Sequence, residues 1–214
     1  MSMNPMQSIL GQGNAGDITY SFTEVSVPQW VPLLVALGVL GVLLLIPVVL
    51  YNQLVSLRNL VRESWANVDT ELKRRYDLIP NLVETVRGYA AHERGVFEAV
   101  AQARAAAVAS TGRPSSQAAD ENNLVRALKS LFAVVENYPE LKANQGFLHL
   151  QQSLVDTEDR LQAARRFYNA NVRDYNTRCQ TVPSVFIANA FGFQTEDFFE
   201  IEAAVERQAP SVKL

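Results

Sequence analysis

The chain has 214 residues, of which 48% are apolar and 19% are charged, and its formal net charge is −3. This charged share is below the roughly 25% of soluble domains, which indicates membrane content, and the small net charge excludes a broad basic surface for nucleic acid. The single cysteine, Cys179, excludes an intrachain disulfide and fits a reducing compartment. A lone cysteine is more often a small buried hydrophobe than a nucleophile.

The N-terminal region contains one candidate membrane span. No charged residue occurs between Glu24 and Arg58, and residues 31–50 are only Val, Leu, Ile, Ala, Gly and Pro. Twenty residues at about 1.5 Å rise reach about 30 Å, the thickness of the hydrocarbon core. A signal peptide is disfavoured because residues 1–30 have no Lys or Arg. We therefore predict a transmembrane helix at 31–50 that contacts the lipid bilayer, rather than a buried soluble helix.

Basic residues predict the orientation of this span. Every Lys and Arg lies at Arg58 or later, and Arg62 follows one turn further on. Because basic flanks stay on the cytoplasmic side, we expect residues 1–30 outside and the larger domain in the cytoplasm. Residues 1–30 are rich in Gly, Ser, Asn and Gln without apolar periodicity, so we expect them to be unstructured.

Residues 51–183 have the apolar spacing of a helical bundle. The first seam repeats every eleven residues and consists of Leu54, Leu57, Val61, Trp65, Val68, Leu72, Tyr76, Ile79 and Val83. This period predicts a helix that is nearly straight or has a slight right-handed coil. Pro80 either kinks that helix or ends it, and the sequence leaves both alternatives open.

Three further helices are predicted at residues 81–109, 121–136 and 144–180, the last one stopped by Pro183. The stretch 110–120 is rich in Ser, Thr, Gly and Pro, which predicts a loop. No segment alternates between apolar and polar residues as a strand would. The expected fold class is therefore all-α, with one transmembrane helix followed by a long antiparallel bundle.

The last helix contains an Arg-x-Tyr-Asn pattern that occurs twice, seven residues apart. Its members are Arg166, Tyr168, Asn169, Arg173, Tyr175 and Asn176. Residues seven apart share one face of a helix. The favoured interpretation is a polar ladder that fixes helix register. The alternative is a binding groove, which makes these residues a candidate interaction surface.

The C-terminal segment, residues 184–214, is rich in phenylalanine. Five Phe occur within fourteen residues: Phe186, Phe191, Phe193, Phe198 and Phe199. They could insert at the lipid interface, but Glu196, Asp197, Glu200 and Glu202 would be repelled by anionic lipid. Capping of the open end of the bundle is the preferred interpretation, and Phe191 and Phe193 join the candidate interaction surface.

The sequence contains no recognisable pattern of catalytic or metal-binding residues. The two histidines, His92 and His149, lack the Glu three residues earlier that a helical di-iron site needs. No His-Glu-x-x-His pair, paired cysteines or Gly-rich phosphate loop is present. We therefore predict no catalytic residue, metal site or cofactor, no small-molecule substrate and no nucleic-acid partner.

Several long motifs resemble the bacterial LemA family. They are residues 62–69, 73–83, 88–93 and 136–144, the two Arg-x-Tyr-Asn sets, and Phe191-Gly192-Phe193. The resemblance covers roughly residues 50–200. It implies an N-terminal membrane helix and a cytoplasmic helical domain in a bacterial inner membrane. It supplies no agreed activity, although some relatives resemble proteins that form magnetosome membranes and others lie beside membrane metalloproteases.

These observations predict a non-enzymatic, membrane-anchored scaffold or adaptor that binds another protein or itself. Long amphipathic helices, nearly balanced charge and the lack of a catalytic pattern favour this function. One alternative is a protein that shapes membranes by acting directly on lipid. Another is an accessory partner of a membrane metalloprotease.

Overall fold

The computed structural model describes residues 28–201. Within that range every regular element is an α-helix, which confirms the predicted all-α class. The prediction of an unstructured outer segment falls almost entirely on residues 1–27, outside the described range. The predicted boundaries at residues 30, 50 and 183 stay predictions.

Six helices follow one another along the chain. They are α1 (Trp30–Arg87), α2 (Arg94–Ala109), α3 (Pro114–Val135), α4 (Pro139–Lys142), α5 (Gln145–Gln180) and α6 (Ser184–Phe191). Neither α4 nor α6 was predicted, because four and eight residues are too short for a clear apolar period.

The structure divides into two compact units between Leu43 and Leu44. In the first unit the apolar side chains of α1 are exposed, with Leu33 at 61% and Leu37 at 55%. Among the described residues, α1 is the one helix with a stretch long and apolar enough to cross a membrane. Exposed leucines along a helix are what a lipid-facing surface requires.

The second unit is a helical bundle in which α1 and α5 are antiparallel. Trp65 of α1 contacts Tyr168 of α5, whereas Glu71, further along α1, binds Arg160, earlier in α5. Buried residues of both helices, such as Val68 and Val172, are completely shielded from solvent. Apolar burial of this kind supplies most of the stability of a bundle.

The first helix continues through Pro80, which excludes the break that the sequence left open as one alternative, and the predicted helix start at residue 81 is wrong. Pro80 is exposed, whereas Ile79 and Leu82 beside it are buried. This burial on both sides offsets the one backbone hydrogen bond that an interior proline removes. The helix ends at Arg87, and a turn leads to α2.

The predicted loop at residues 110–120 is wrong beyond residue 113. Pro114 occupies the first turn of α3, where the missing N–H has no helical partner to lose. Arg113 before it is extended, with φ −64° and ψ 152°, as a residue preceding proline prefers. The Ser110 hydroxyl donates to the Asp120 carboxylate at 2.7 Å, which ties the short connection to α3.

The predicted helix at 144–180 is confirmed as α5. The Asn144 side chain caps its first turn by accepting a hydrogen bond from the Phe147 N–H at 3.0 Å. Its seam contributes Leu154, Leu161 and Tyr168 to the core.

Candidate interaction site

Two asparagines of α5 bind the backbone of an extended C-terminal segment, residues 193–201, which we call the strap. The Asn176 amide donates to the Glu196 carbonyl and accepts from the Glu196 N–H, both at 2.8 Å. The Asn169 amide does the same with Phe199, at 3.0 Å and 2.9 Å. Each asparagine therefore satisfies one donor and one acceptor of the strap, as a neighbouring β-strand would.

The seven-residue spacing of these asparagines matches the geometry of the strap. Seven helical residues rise about 10.5 Å, and three extended residues span about 10 Å. Asn176 and Asn169 therefore meet Glu196 and Phe199, three residues apart, without a change of register. The strap runs antiparallel to α5, since its later residues meet earlier residues of the helix.

Buried side chains attach the strap to the bundle. Phe199 is completely buried, and its ring lies edge-on to Trp65 with the centroids 5.1 Å apart. The Tyr168 hydroxyl donates to the Asp197 carbonyl at 2.9 Å. Arg165, which the sequence pattern did not include, donates to the carbonyl of Ile201. The strap is thus recognised mainly through its main chain and through the Phe199 ring.

The remaining members of the predicted surface are placed differently. Arg166 and Arg173 are exposed, and Phe191 is 62% exposed, whereas Phe193 is buried beneath the Arg58 guanidinium at 4.9 Å. Tyr175 is buried beside Cys179. The structure therefore brings Tyr168, Asn169 and Asn176 together along the chain's own strap, to which Phe193 itself belongs, and a role in binding a partner stays a prediction.

Burial controls the ionisation of the groups around the strap. Burial raises the pKa of the Tyr168 hydroxyl, and the nearby carboxylates of Glu196 and Asp197 raise it further. Burial also raises the pKa of Tyr175 and of the Cys179 thiol. A buried thiol that stays protonated behaves as a small hydrophobe, in keeping with the preferred interpretation of Cys179.

A buried ionic cluster joins three helices beside the strap. Arg75 of α1 is fully buried and binds Glu158 of α5 at 3.2 Å and Glu121 of α3. The Tyr76 hydroxyl also donates to Glu121, and burial together with the Glu121 charge raises the pKa of Tyr76. One guanidinium between two carboxylates fixes the mutual register of the helices, because a shift would leave a buried charge unpaired.

The sequence analysis did not predict this cluster, although the positions of its two glutamates in the sequence indicate that they are buried. Glu158 lies four residues after Leu154 and three before Leu161, which places it on the buried face of α5. Glu121 precedes Leu124 by three residues and lies on the buried stripe of α3 in the same way. A carboxylate on each of two apolar stripes indicates a buried cation between them.

The described residues contain no group of three or more His, Cys, Asp or Glu side chains arranged to hold a metal ion. Both His92 and His149 are exposed.

The chain is similar to proteins of known families. The model of the LemA family matches residues 64–214. The magnetosome protein MamQ of Magnetospirillum gryphiswaldense is 27% identical over 201 residues, covering 81% of this chain and 74% of the relative. MamQ 2 of Paramagnetospirillum magneticum is 27% identical over 198 residues, covering 80% and 73%. Together with the apolar stretch of α1, these similarities support a membrane location, and the chain belongs to the LemA family.

Proposed function

We propose that the protein is a membrane-anchored scaffold whose helical bundle binds another protein or a second copy at the inner face of the bacterial cell membrane. This proposal depends on one observation: the single helix α1 contains both the apolar membrane-spanning stretch and part of the core of the bundle. The helix contains the exposed apolar stretch and, from Leu54 onward, the buried seam of the bundle. A partner bound to the bundle is therefore tied to the bilayer.

The proposed orientation has the bundle in the cytoplasm. Basic residues at Arg58 and Arg62 follow the apolar stretch, whereas residues 1–30 contain none. A protease-protection assay with a tag at either end of the chain distinguishes the two orientations. In spheroplasts, a C-terminal tag should be protected and an N-terminal tag should be digested, and the reverse result would refute this orientation.

Site-specific photocrosslinking in intact membranes tests the scaffold role. Phe167 lies on α5 beside Tyr168 and is 52% exposed, so it is an outward-facing aromatic side chain next to a residue that contacts the strap. A photoreactive residue at position 167 should give one reproducible heavier product. Asp174, exposed and charged on the same helix, is the matched control position. Recovery of monomer alone from both positions would refute a scaffold that uses this face.

A further inference from the structure

Large apolar side chains around α6 face away from the bundle. Val182 is 75% exposed, Phe186 67% and Phe191 62%. On its other side α6 buries the small residues Ser184 and Ala188. The helix therefore packs on the bundle through its small residues and Ile187, whereas Phe186 and most of Phe191 stay exposed, which is unusual for a helix of a soluble domain.

No charge accompanies this apolar surface. Residues 180–195 contain no Asp, Glu, Lys or Arg, whereas the bundle as a whole carries frequent charges of both signs. A soluble surface normally intersperses charges among its apolar residues, and contiguous apolar patches mark binding sites for protein or membrane. The surface of α6 thus has the composition of a lipid-facing segment.

The antiparallel register places α6 where the apolar stretch of α1 ends. Trp65 faces Tyr168, and one heptad towards the N-terminus Arg58 interacts with Tyr175, one heptad later in α5. A further heptad towards the N-terminus of α1 reaches Tyr51, which is therefore level with the C-terminal end of α5 at Gln180.

Ring contacts of Tyr51 confirm that it lies beside α6 and the residues that follow it. The Tyr51 ring lies 4.9 Å from the ring of Phe191 and 5.6 Å from that of Phe193, measured between centroids. Tyr51 immediately follows the uncharged residues 31–50. The exposed apolar surface of α6 therefore lies beside the point where the span ends.

For three of the four tail carboxylates the structure removes the electrostatic objection to lipid contact. Glu196, Asp197 and Glu200 belong to the strap, which runs along α5 from Asn176 towards Arg165, away from the end that faces Tyr51, and Glu202 lies outside the described residues. Eleven residues of α5, about 16 Å, separate Asn176 from Arg165. Two basic residues adjoin this region: the Arg58 guanidinium covers the Phe193 ring, and the carbonyl of Arg178 accepts a hydrogen bond from the Ser184 hydroxyl at the start of α6.

We propose that residues 182–191 insert into the headgroup and acyl boundary of the bilayer, as a second membrane contact beside the span. Eight helical residues reach only about 12 Å, so α6 lies in the interface and does not cross the bilayer. The proposal depends on α1 spanning the membrane but not on the scaffold role.

Depth-dependent fluorescence quenching of the full chain in nanodiscs tests this proposal. In a Cys179→Ala background, the variant Phe186→Cys carries an environment-sensitive fluorophore on α6. The control variant Leu148→Cys carries the same label at a position 47% exposed, near the contact between Asn144 and Tyr89. This control lies about 50 Å from Tyr51 along α1. Nanodiscs expose both faces, so the test does not depend on orientation.

The label at position 186 should be quenched by lipids that carry a quencher near the headgroup, at a depth within about 10 Å of the boundary. The label at position 148 should be quenched by aqueous iodide instead. Equal iodide quenching at both positions would overturn the proposal. Protection of position 186 from both quenchers would also overturn it, since a protein partner or second copy would then cover α6.

A second measurement uses the unsubstituted chain and keeps the proposal testable if the cysteine variants fail to fold. Nanodiscs containing a lipid with a photoreactive group near its headgroup should label the peptide that contains residues 182–191. Peptides from the first turns of α5, around Leu148, should stay unlabelled. Labelling confined to peptides from the span would refute the second membrane contact.

Discussion

Replacement of Asn169 by alanine should detach part of the strap at a cost that the structure allows us to estimate. Asn169 makes two hydrogen bonds to Phe199, each worth about 1 kcal/mol net. Alanine raises helix propensity by about 0.6 kcal/mol at an interior position. We therefore expect Asn169→Ala to lower the free energy of unfolding of the bundle by about 1 to 2 kcal/mol.

The assay is urea unfolding of the full chain in detergent, followed by far-UV circular dichroism, with hydrogen exchange of the Phe199 N–H as the local readout. Asn67→Ala is the matched control, because Asn67 is exposed in the interior of α1 and its side chain makes no hydrogen bond to another described residue. The control variant should gain only the stability that comes from the higher helix propensity of alanine, and the Phe199 N–H should stay protected from hydrogen exchange. Equal stability of the two variants, with Phe199 equally protected, would refute the ladder as a stabilising contact.

Three further predictions follow from the buried groups and the turn after α6. Arg75→Ala leaves two carboxylates buried without a cation, so we expect a loss of about 3 to 5 kcal/mol in urea unfolding; combining it with Glu121→Gln and Glu158→Gln should recover part of that loss. Because the folded pKa of Tyr168 and Tyr175 lies above the ordinary value near 10, their stabilising contribution is complete below pH 10. It should fall above that pH by about 1.4 kcal/mol per pH unit for each tyrosine, and Tyr175→Phe should reduce this slope in a pH series of unfolding measurements. Gly192→Ala should lower the midpoint of thermal unfolding through a cost of about 1 to 2 kcal/mol, because Gly192 has a φ of 71°.

The sequence predicted the long elements of the fold because long elements have many apolar positions. The thirty-six residues of α5 repeat their buried face often enough that its limits were predicted within one residue. Proline was the main source of error, since the same residue can interrupt a helix or begin one. Pro80 lies inside α1 and Pro114 starts α3, and the difference depends on tertiary burial and on the conformation of the preceding residue.

The Arg-x-Tyr-Asn pattern showed which face of α5 is special but not what that face contacts. Spacing predicts that Asn169 and Asn176 lie together, yet it cannot distinguish a neighbouring helix from an extended segment. The strap, residues 193–201, shows no helical or strand-like spacing of apolar residues. Side chains of α5, rather than a helix or a sheet, make most of the hydrogen bonds to its backbone. Arg165 was missed for the same reason, because its acceptor is a main-chain carbonyl.

The ladder and the proposed membrane contact are linked through the geometry of the tail. Gly192 ends α6 in the left-handed conformation, and the strap begins with the next residue, so pairing of Glu196 with Asn176 limits how far α6 can move from Tyr51. Moving α6 away from the bilayer end of the bundle would require the strap to slip along α5. A slip by a single residue would break the four hydrogen bonds of the observed register together and would withdraw the buried Phe199 ring from its contact with Trp65. The charged part of the tail is thereby held on the bundle while its uncharged part remains beside the end of the span.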